Sequence, residues 1–121
     1  ASSGSAASFT VVNAYYTKVG RLVHVRAEIK NINTSGTTSS ANFRVAGMPF
    51  TIDTIGAFGV TVFDQVTLQG SRTQLNVNFS TNEYALFPQS GGTGSETNTD
   101  HGDFNSGTSD IFFQGFYYSN Q

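Results

Sequence analysis

Between Val23 and Lys30 the chain alternates without a fault: Val23, Val25, Ala27 and Ile29 are apolar, while His24, Arg26, Glu28 and Lys30 are polar. A period of two sustained over this stretch describes a strand with one face in a core and one in water, and it is incompatible with an amphipathic helix. The preceding residues 15–19, rich in aromatic and β-branched side chains, read as a second strand. Gly20-Arg21 between them suits a two-residue II′ hairpin turn, because glycine reaches the positive φ that the first central position requires.

No window shows helical periodicity. Strands are predicted at about residues 9–13, 15–19, 22–32, 41–45, 57–68, 72–80, 83–87 and 110–118, with the polar stretch 34–40 as a loop and Gly70-Ser71 as another Gly-X turn. Short strands separated by turn signals, without βαβ spacing, point to an all-β antiparallel sandwich of about eight strands. The 121 residues fit one domain, residues 9–121, preceded by a small-residue stretch, 1–8, that reads as a linker or cloning remnant. Two segments depart from simple patterning. In 57–68 the alternating set Phe58, Val60, Val62, Asp64, Val66, Leu68 puts a carboxylate in an apolar slot, and a bulge or an emergence at the rim accounts for it. The last strand is apolar on both faces, Ile111, Phe113 and Tyr117 against Phe112, Phe116 and Tyr118. If the first set faces the core, the second is expected at a subunit interface, or the reverse.

Composition excludes several classes. With no cysteine there is no disulfide and no thiolate metal site, which fits a bacterial cytoplasm or a virion. No apolar run approaches the roughly 20 residues of a membrane helix, so no membrane insertion is expected. A net charge of −2 gives no general pull toward nucleic acid, and all six Lys and Arg lie at or before Arg72. From Thr73 onward the ionisable groups, tyrosines aside, are Glu83, Glu96, Asp100, His101, Asp103 and Asp110, a locally acidic surface.

Residues 89–109 have no periodicity, and loops of such length in compact domains are usually functional or disordered. The cluster Asp100-His101-Gly102-Asp103, with Glu96 nearby, lacks the bidentate acid of a calcium loop and the further histidine of a transition-metal site, so no metal and no cofactor is expected. Paired acids for glycoside hydrolysis could be drawn from Glu83, Glu96, Asp100 and Asp103, but no rigid element holds three of them. There is no Cys, no GxSxG and no serine–histidine pairing for nucleophilic catalysis, and Gly91-Gly92-Thr93-Gly94 lacks the ending of a phosphate loop. The chain therefore reads as a non-enzyme. The charged stripe His24, Arg26, Glu28, Lys30 reads as a solvated strand face. Tyr84, Phe87 and Phe104 border or lie in the polar segment, where an aromatic face beside polar side chains suits sugar rings.

Tyr16-Thr17-Lys18-Val19-Gly20 with Val23 and Val25, followed about twenty residues on by Gly47-Met48-Pro49-Phe50, and more weakly Gly115 and Tyr117, resembles a β-sandwich domain. That domain recurs near the C-termini of tail fibres and tailspikes of tailed bacteriophages. The resemblance implies a jelly-roll-like antiparallel sandwich, a homotrimer at the distal end of a fibre or spike on the virion, and exposed loops that meet the host surface. It implies scaffold roles for the motif residues and carries no catalytic residue. Met48 stands where leucine is expected, and the long acidic segment 89–109 departs from the pattern. The expected function is attachment to bacterial surface polysaccharide. A purely structural trimerisation or capping module is the alternative, and a glycan depolymerase a third. The expected glycan-binding residues are Tyr84, Phe87, Glu96, Asn98, Asp100, His101, Asp103, Phe104 and Asn105, and the expected subunit interface is Phe112, Phe116 and Tyr118. As an exposed excursion, residues 92–107 should be removable with little change in thermal midpoint.

Overall fold

The computed structural model describes residues 6–53, 57–80 and 84–121. Among these residues the chain forms nine strands and one short 3₁₀ turn, with no α-helix: β1 (Ser8–Val19), β2 (Leu22–Asn33), β3 (Arg44–Val45), β4 (Ala57–Asp64), β5 (Gln74–Phe79), β6 (Ala85–Leu86), β7 (Pro88–Ser90), β8 (Thr97–Asn98), the turn His101–Asp103, and β9 (Ser109–Tyr118). All pairings are antiparallel. One layer runs β1-β2-β9-β4. Strand β4 joins the two layers: Ala57 to Val60 pairs with Phe79 to Asn76 of β5, Gly59 and Val60 pairing with β9 as well, whereas Thr61 to Asp64 pairs with β9 alone. Beyond that corner β5 carries β6 and β3 along one stretch and β7 with β8 along another, which makes the opposing layer. The fold is the antiparallel β-sandwich expected, with nine strands in place of eight.

The alternation read in β2 is realised, with Val23, Val25, Ala27 and Ile29 buried and Arg26 exposed. Strands β1 and β2 meet at Val19 opposite Leu22 across Gly20 (φ +58°) and Arg21, the glycine-first geometry of a II′ turn. Strand β9 lies between β2 and β4, and its inward residues Ile111, Phe113 and Tyr117 are buried beneath Phe79 and Phe87 of the opposing layer. The two motif segments, distant in sequence, meet here. Tyr16 stands edge-on to Phe50 (5.3 Å between rings) and the Lys18 ammonium lies 5.4 Å over the same ring. The buried Tyr117 hydroxyl donates to the Phe50 carbonyl (2.9 Å) and accepts from the Phe50 N–H (3.2 Å), so both polar groups of a turn residue are satisfied by one side chain. Burial, opposed by that backbone hydrogen bond, raises the pKa of this phenol.

Several expectations are corrected. Residues 9–13 and 15–19 are one strand, β1, with pairing irregularities between Ser8 and Thr10 and between Val11 and Asn13. It begins at Ser8, and Ala7 packs against the core. Strand β3 is two residues long, and β4 stops at Asp64 because Gln65 adopts a left-handed backbone (φ +58°). The inward face of β4 is the one opposite to that expected. Thr61 and Phe63 lie across from the inward Phe113 and Ile111, and directly opposed residues share a face, so Val62 points outward at 60% exposure. Asp64 is thus on the solvated face of β4 like Val62, so neither a bulge nor an emergence from an inward slot is needed to account for its carboxylate. Gly70-Ser71 does form a turn, closed by Arg72 N–H to Gln69 C=O (3.2 Å), but the flanking residues do not pair across it; Val66 bridges Phe104 and Leu75 pairs with Gln89. Glu83, the first residues of the stretch read as linker and the side chains of Phe58 and Val60 lie outside the described residues.

Gly115 of β9 and Gly59 of β4 face each other, and the Phe79 ring fills the space above Gly115. A Cβ on Gly115 would stand 2.6 Å from that ring, and one on Gly59 would overlap the Gln114 carbonyl. Gly115→Val is therefore expected to cost about 1–3 kcal/mol by overpacking, read as a lower denaturant midpoint at unchanged m-value. An unchanged midpoint would refute this account of the glycine pair.

Candidate functional site

Residues 87–109 are not a free excursion. Phe87 is fully buried, its ring tilted against Phe43 (5.7 Å) and edge-on to Phe113 (5.3 Å), and Phe104 is 8% exposed with its ring 4.5 Å from Phe43. Neither ring is available to a sugar, which corrects their expected role. Between them the chain makes β7, β8 and the 3₁₀ turn, tied inward by polar side chains that spacing does not reveal. Gln89 is fully buried. Its carbonyl accepts the Gln69 N–H (2.7 Å), and its amide donates to Thr99 Oγ1 (2.9 Å) and Asp103 Oδ2 (3.2 Å). The Thr99 hydroxyl donates a hydrogen bond to the Phe87 carbonyl (2.7 Å). Asp103 Oδ2 also accepts from Gln69 Nε2 (2.6 Å) and from the Asp100 N–H (2.9 Å), closing the turn on itself. A buried network whose members are all satisfied stiffens the segment it ties down. Removing residues 92–107 would take Thr99, Asp103 and Phe104 out of that network and core, so the expectation that the segment is dispensable does not hold.

The outer side of this segment meets the 34–40 loop. His101 N–H donates to the Ala41 carbonyl (2.9 Å), Gly102 N–H to Ser39 (2.8 Å) and Gly107 N–H to Ile32 (2.8 Å), while the Thr34 N–H donates to Ser106 Oγ (2.9 Å). Ser106 Oγ in turn donates to Asn33 Oδ1 (2.7 Å), and His101 Nδ1 lies 2.7 Å from Thr37 Oγ1. The two polar stretches thereby form one continuous surface. On its flank residues 65–67, just past the end of β4, and residues 102–105 enclose a shallow, mostly polar recess of about 480 Å³ lined by Gln65, Val66, Thr67, Gly102, Asp103, Phe104 and Asn105. Backbone bonds hold its two walls: Thr67 N–H to the Asp103 carbonyl (2.8 Å) and Asn105 N–H to the Gln65 carbonyl (3.1 Å). Asn105 Nδ2 donates to Gln65 Oε1 (3.2 Å), so the two amide side chains that line the recess are tied to each other.

Of the expected site residues, Asp100, His101, Asp103 and Asn105 come together here, and Asn98 joins through its carbonyl, which accepts from Gln69 Nε2 (3.3 Å). Glu96 is exposed in the turn before β8 and takes no part in the recess. Tyr84 stands apart at the start of β6, beneath the Arg44 guanidinium (4.7 Å). Sequence reading missed Gln65, Thr67, Gln69 and Gln89; for Gln65 the pattern break at Asp64 was the available signal. Phe112 is half-buried with Lys30 5.9 Å over its ring, and Phe116 and Tyr118 are each 50% exposed on the outward face of β9. No cluster of His, Asp and Glu among the described residues could hold a metal ion.

Burial lowers the pKa of His101 below its ordinary 6.5, with Asp100 opposing. Burial, then the Asp103 charge, raise that of Asp100, opposed by the Gln69 hydrogen bond and by His101. The unfolded chain then protonates its histidine at a higher pH than the folded one, so the stability tied to this ring is present above the ordinary pKa and is lost as pH falls through it. Asp100 acts in a lower window and with opposite sign, its strain relieved on protonation. The thermal midpoint should fall between about pH 7.5 and about pH 5.5, and His101→Gln should flatten that slope; a slope unaltered by the substitution would exclude His101 as its source. No protein-family model matches this chain, and no curated protein or solved structure matches it.

Proposed function

We propose that this chain is a receptor-binding domain at the distal end of a phage tail fibre or tailspike, attaching to bacterial surface polysaccharide as a homotrimer without catalysing a reaction on it. The reading begins from the Tyr16–Val25 and Gly47–Phe50 motif residues. The observation that carries the binding half is the joined polar surface of residues 33–40 and 100–108 with its recess, where Gln65, Thr67, Asp103 and Asn105 present amide, hydroxyl and carboxylate groups from a segment already pinned to the core. Sugar hydroxyls are met by such groups, and a site that needs no ordering on binding loses less entropy. Glu96, Asp100, Asp103 and Asp110 make the region acidic, which favours neutral or amino sugars over phosphorylated or uronic ones. Three copies would add avidity without any new contact.

A second reading, a structural trimerisation or capping module, is favoured by the outward Phe116 and Tyr118. Glycan arrays and adsorption to intact against polysaccharide-stripped cells separate the two. On the binding reading, Gln65→Ala and Asn105→Ala each lower affinity about tenfold by deleting one hydrogen-bond partner, with the thermal midpoint little changed because both side chains lie at the surface. Binding at full strength in both variants would place the receptor site elsewhere, and an oligomer that binds no glycan would favour the structural module.

A further inference from the structure

The sandwich is open along one edge. Strand β1 is terminal in its layer, and its inward residues there, Ala14 and Tyr16, lie opposite Ala27 and Val25 of β2. Two facing alanines leave a gap that the 45–49 segment of the opposing side does not close. The result is an apolar recess of about 280 Å³ with the buried Val25, Ala27 and Phe113 among its walls, Met48 opposite, and Phe9 and Tyr16, each more than half exposed, at its lips. The polar side-chain atoms in its lining are the hydroxyls of Tyr15 and Tyr16. Small-molecule sites are usually larger and place convergent polar groups to orient the ligand; this recess is below that size and lacks such groups. An apolar side chain presented by a protein fits it better.

The same chain displays an apolar ridge elsewhere. On the outward face of the β1-β2-β9-β4 layer stand Phe116 and Tyr118, with Leu22 opposite Tyr118 and Val19 opposite Leu22. Phe116 is braced against the His24 ring (4.8 Å), which fixes its direction while leaving half of it in water. One protomer therefore carries two unlike apolar surfaces, one hollow and one raised. Pairing each with itself about a two-fold axis would need two separate interfaces. Pairing hollow with ridge covers both in one contact and, by closing a ring, leaves none unpaired. The long terminal strand β1, whose one charged side chain is Lys18, gives the hollow's rim unpaired backbone groups that such a contact would also shield.

We infer that the partner of the β1 recess is a second copy of this chain, with Phe116 of one copy entering the recess of the next in a head-to-tail ring. The inference rests on the homotrimeric reading above and specifies its contact. Two surface variants test it: Ala14→Trp, which fills the hollow from an exposed position, and Phe116→Asp, which removes the ridge. Sedimentation of the unaltered chain comes first. A trimer there, with each variant monomeric alone at the same concentration and an equimolar mixture forming a two-chain species, supports the contact, since one intact hollow then meets one intact ridge. Because the chain has no cysteine, the double variant Ala46→Cys/Gln114→Cys with a short bis-maleimide gives a reading that does not depend on disruptive substitutions. A covalent ladder ending at three chains is expected from the double variant, and no covalent oligomer from either single variant. A trimer that survives in either variant, a covalent dimer from one cysteine alone, or a trimer that does not cross-link overturns the contact while leaving the trimer standing. An unaltered chain that is monomeric at tens of micromolar overturns both.

Discussion

Strand β9 is the element on which every other depends. It hydrogen-bonds to β2 on one side and β4 on the other, so without it the β1-β2 hairpin and the β4-β5 corner share no sheet. Its inward residues carry the aromatic centre of the core, and Gly115 among them is small because the Phe79 ring of the opposing layer descends onto it. The packing is a mutual constraint: a large ring from one layer requires a missing side chain in the other, and Gly59 across the ladder has no room for a Cβ because the β9 backbone at Gln114 lies there. The same strand anchors the Phe50 turn through Tyr117, which in turn meets Tyr16 and Lys18 of β1.

The opposing layer is built differently. Its strands after β5 are two or three residues long, and main-chain pairing alone would hold them poorly. Side-chain hydrogen bonds from Gln69, Gln89, Thr99 and Asp103 take over that task, with Phe87 and Phe104 as apolar anchors beneath. The polar surface proposed as a glycan site is therefore the outside of a knot whose inside is core. Substitutions that reach inward, at Gln89 or Thr99, should be judged by stability before they are judged by binding.

The parts of the fold that the sequence made legible are those where side-chain period and burial coincide, β2 and β5; for β9, apolar on both faces, the sequence left the inward set open and burial of Ile111, Phe113 and Tyr117 decides it. The inward face of β4 was misread because Val62 is apolar yet outward, and only the register against Ile111 and Phe113 decides which face is which. Nothing local encodes that register. In the candidate site, Asp100, His101, Asp103 and Asn105 were visible as polar residues in an aperiodic stretch, while Phe87 and Phe104 were misassigned because an aromatic beside a polar loop looks the same whether it points out or in. Gln65, Gln69 and Gln89 escaped notice for a related reason: a glutamine carries no signal of burial until its hydrogen-bond partners, twenty or more residues away for some of them, are known.

The placement of β9 has a consequence for how the chain reaches this state. Its partners β2 and β4 are made long before it, yet the bond between Val23 and Tyr117 spans nearly the whole sequence. Until residues 109–118 are in place, the edges of β2 and β4 that β9 joins have no partner. Completion of the layer is therefore governed by slow long-range closure, and until then β2 and β4 expose unpaired strand edges to neighbouring chains. For a protein whose copies are proposed to join one another, that interval is also when a wrong pairing between nascent chains would do most harm.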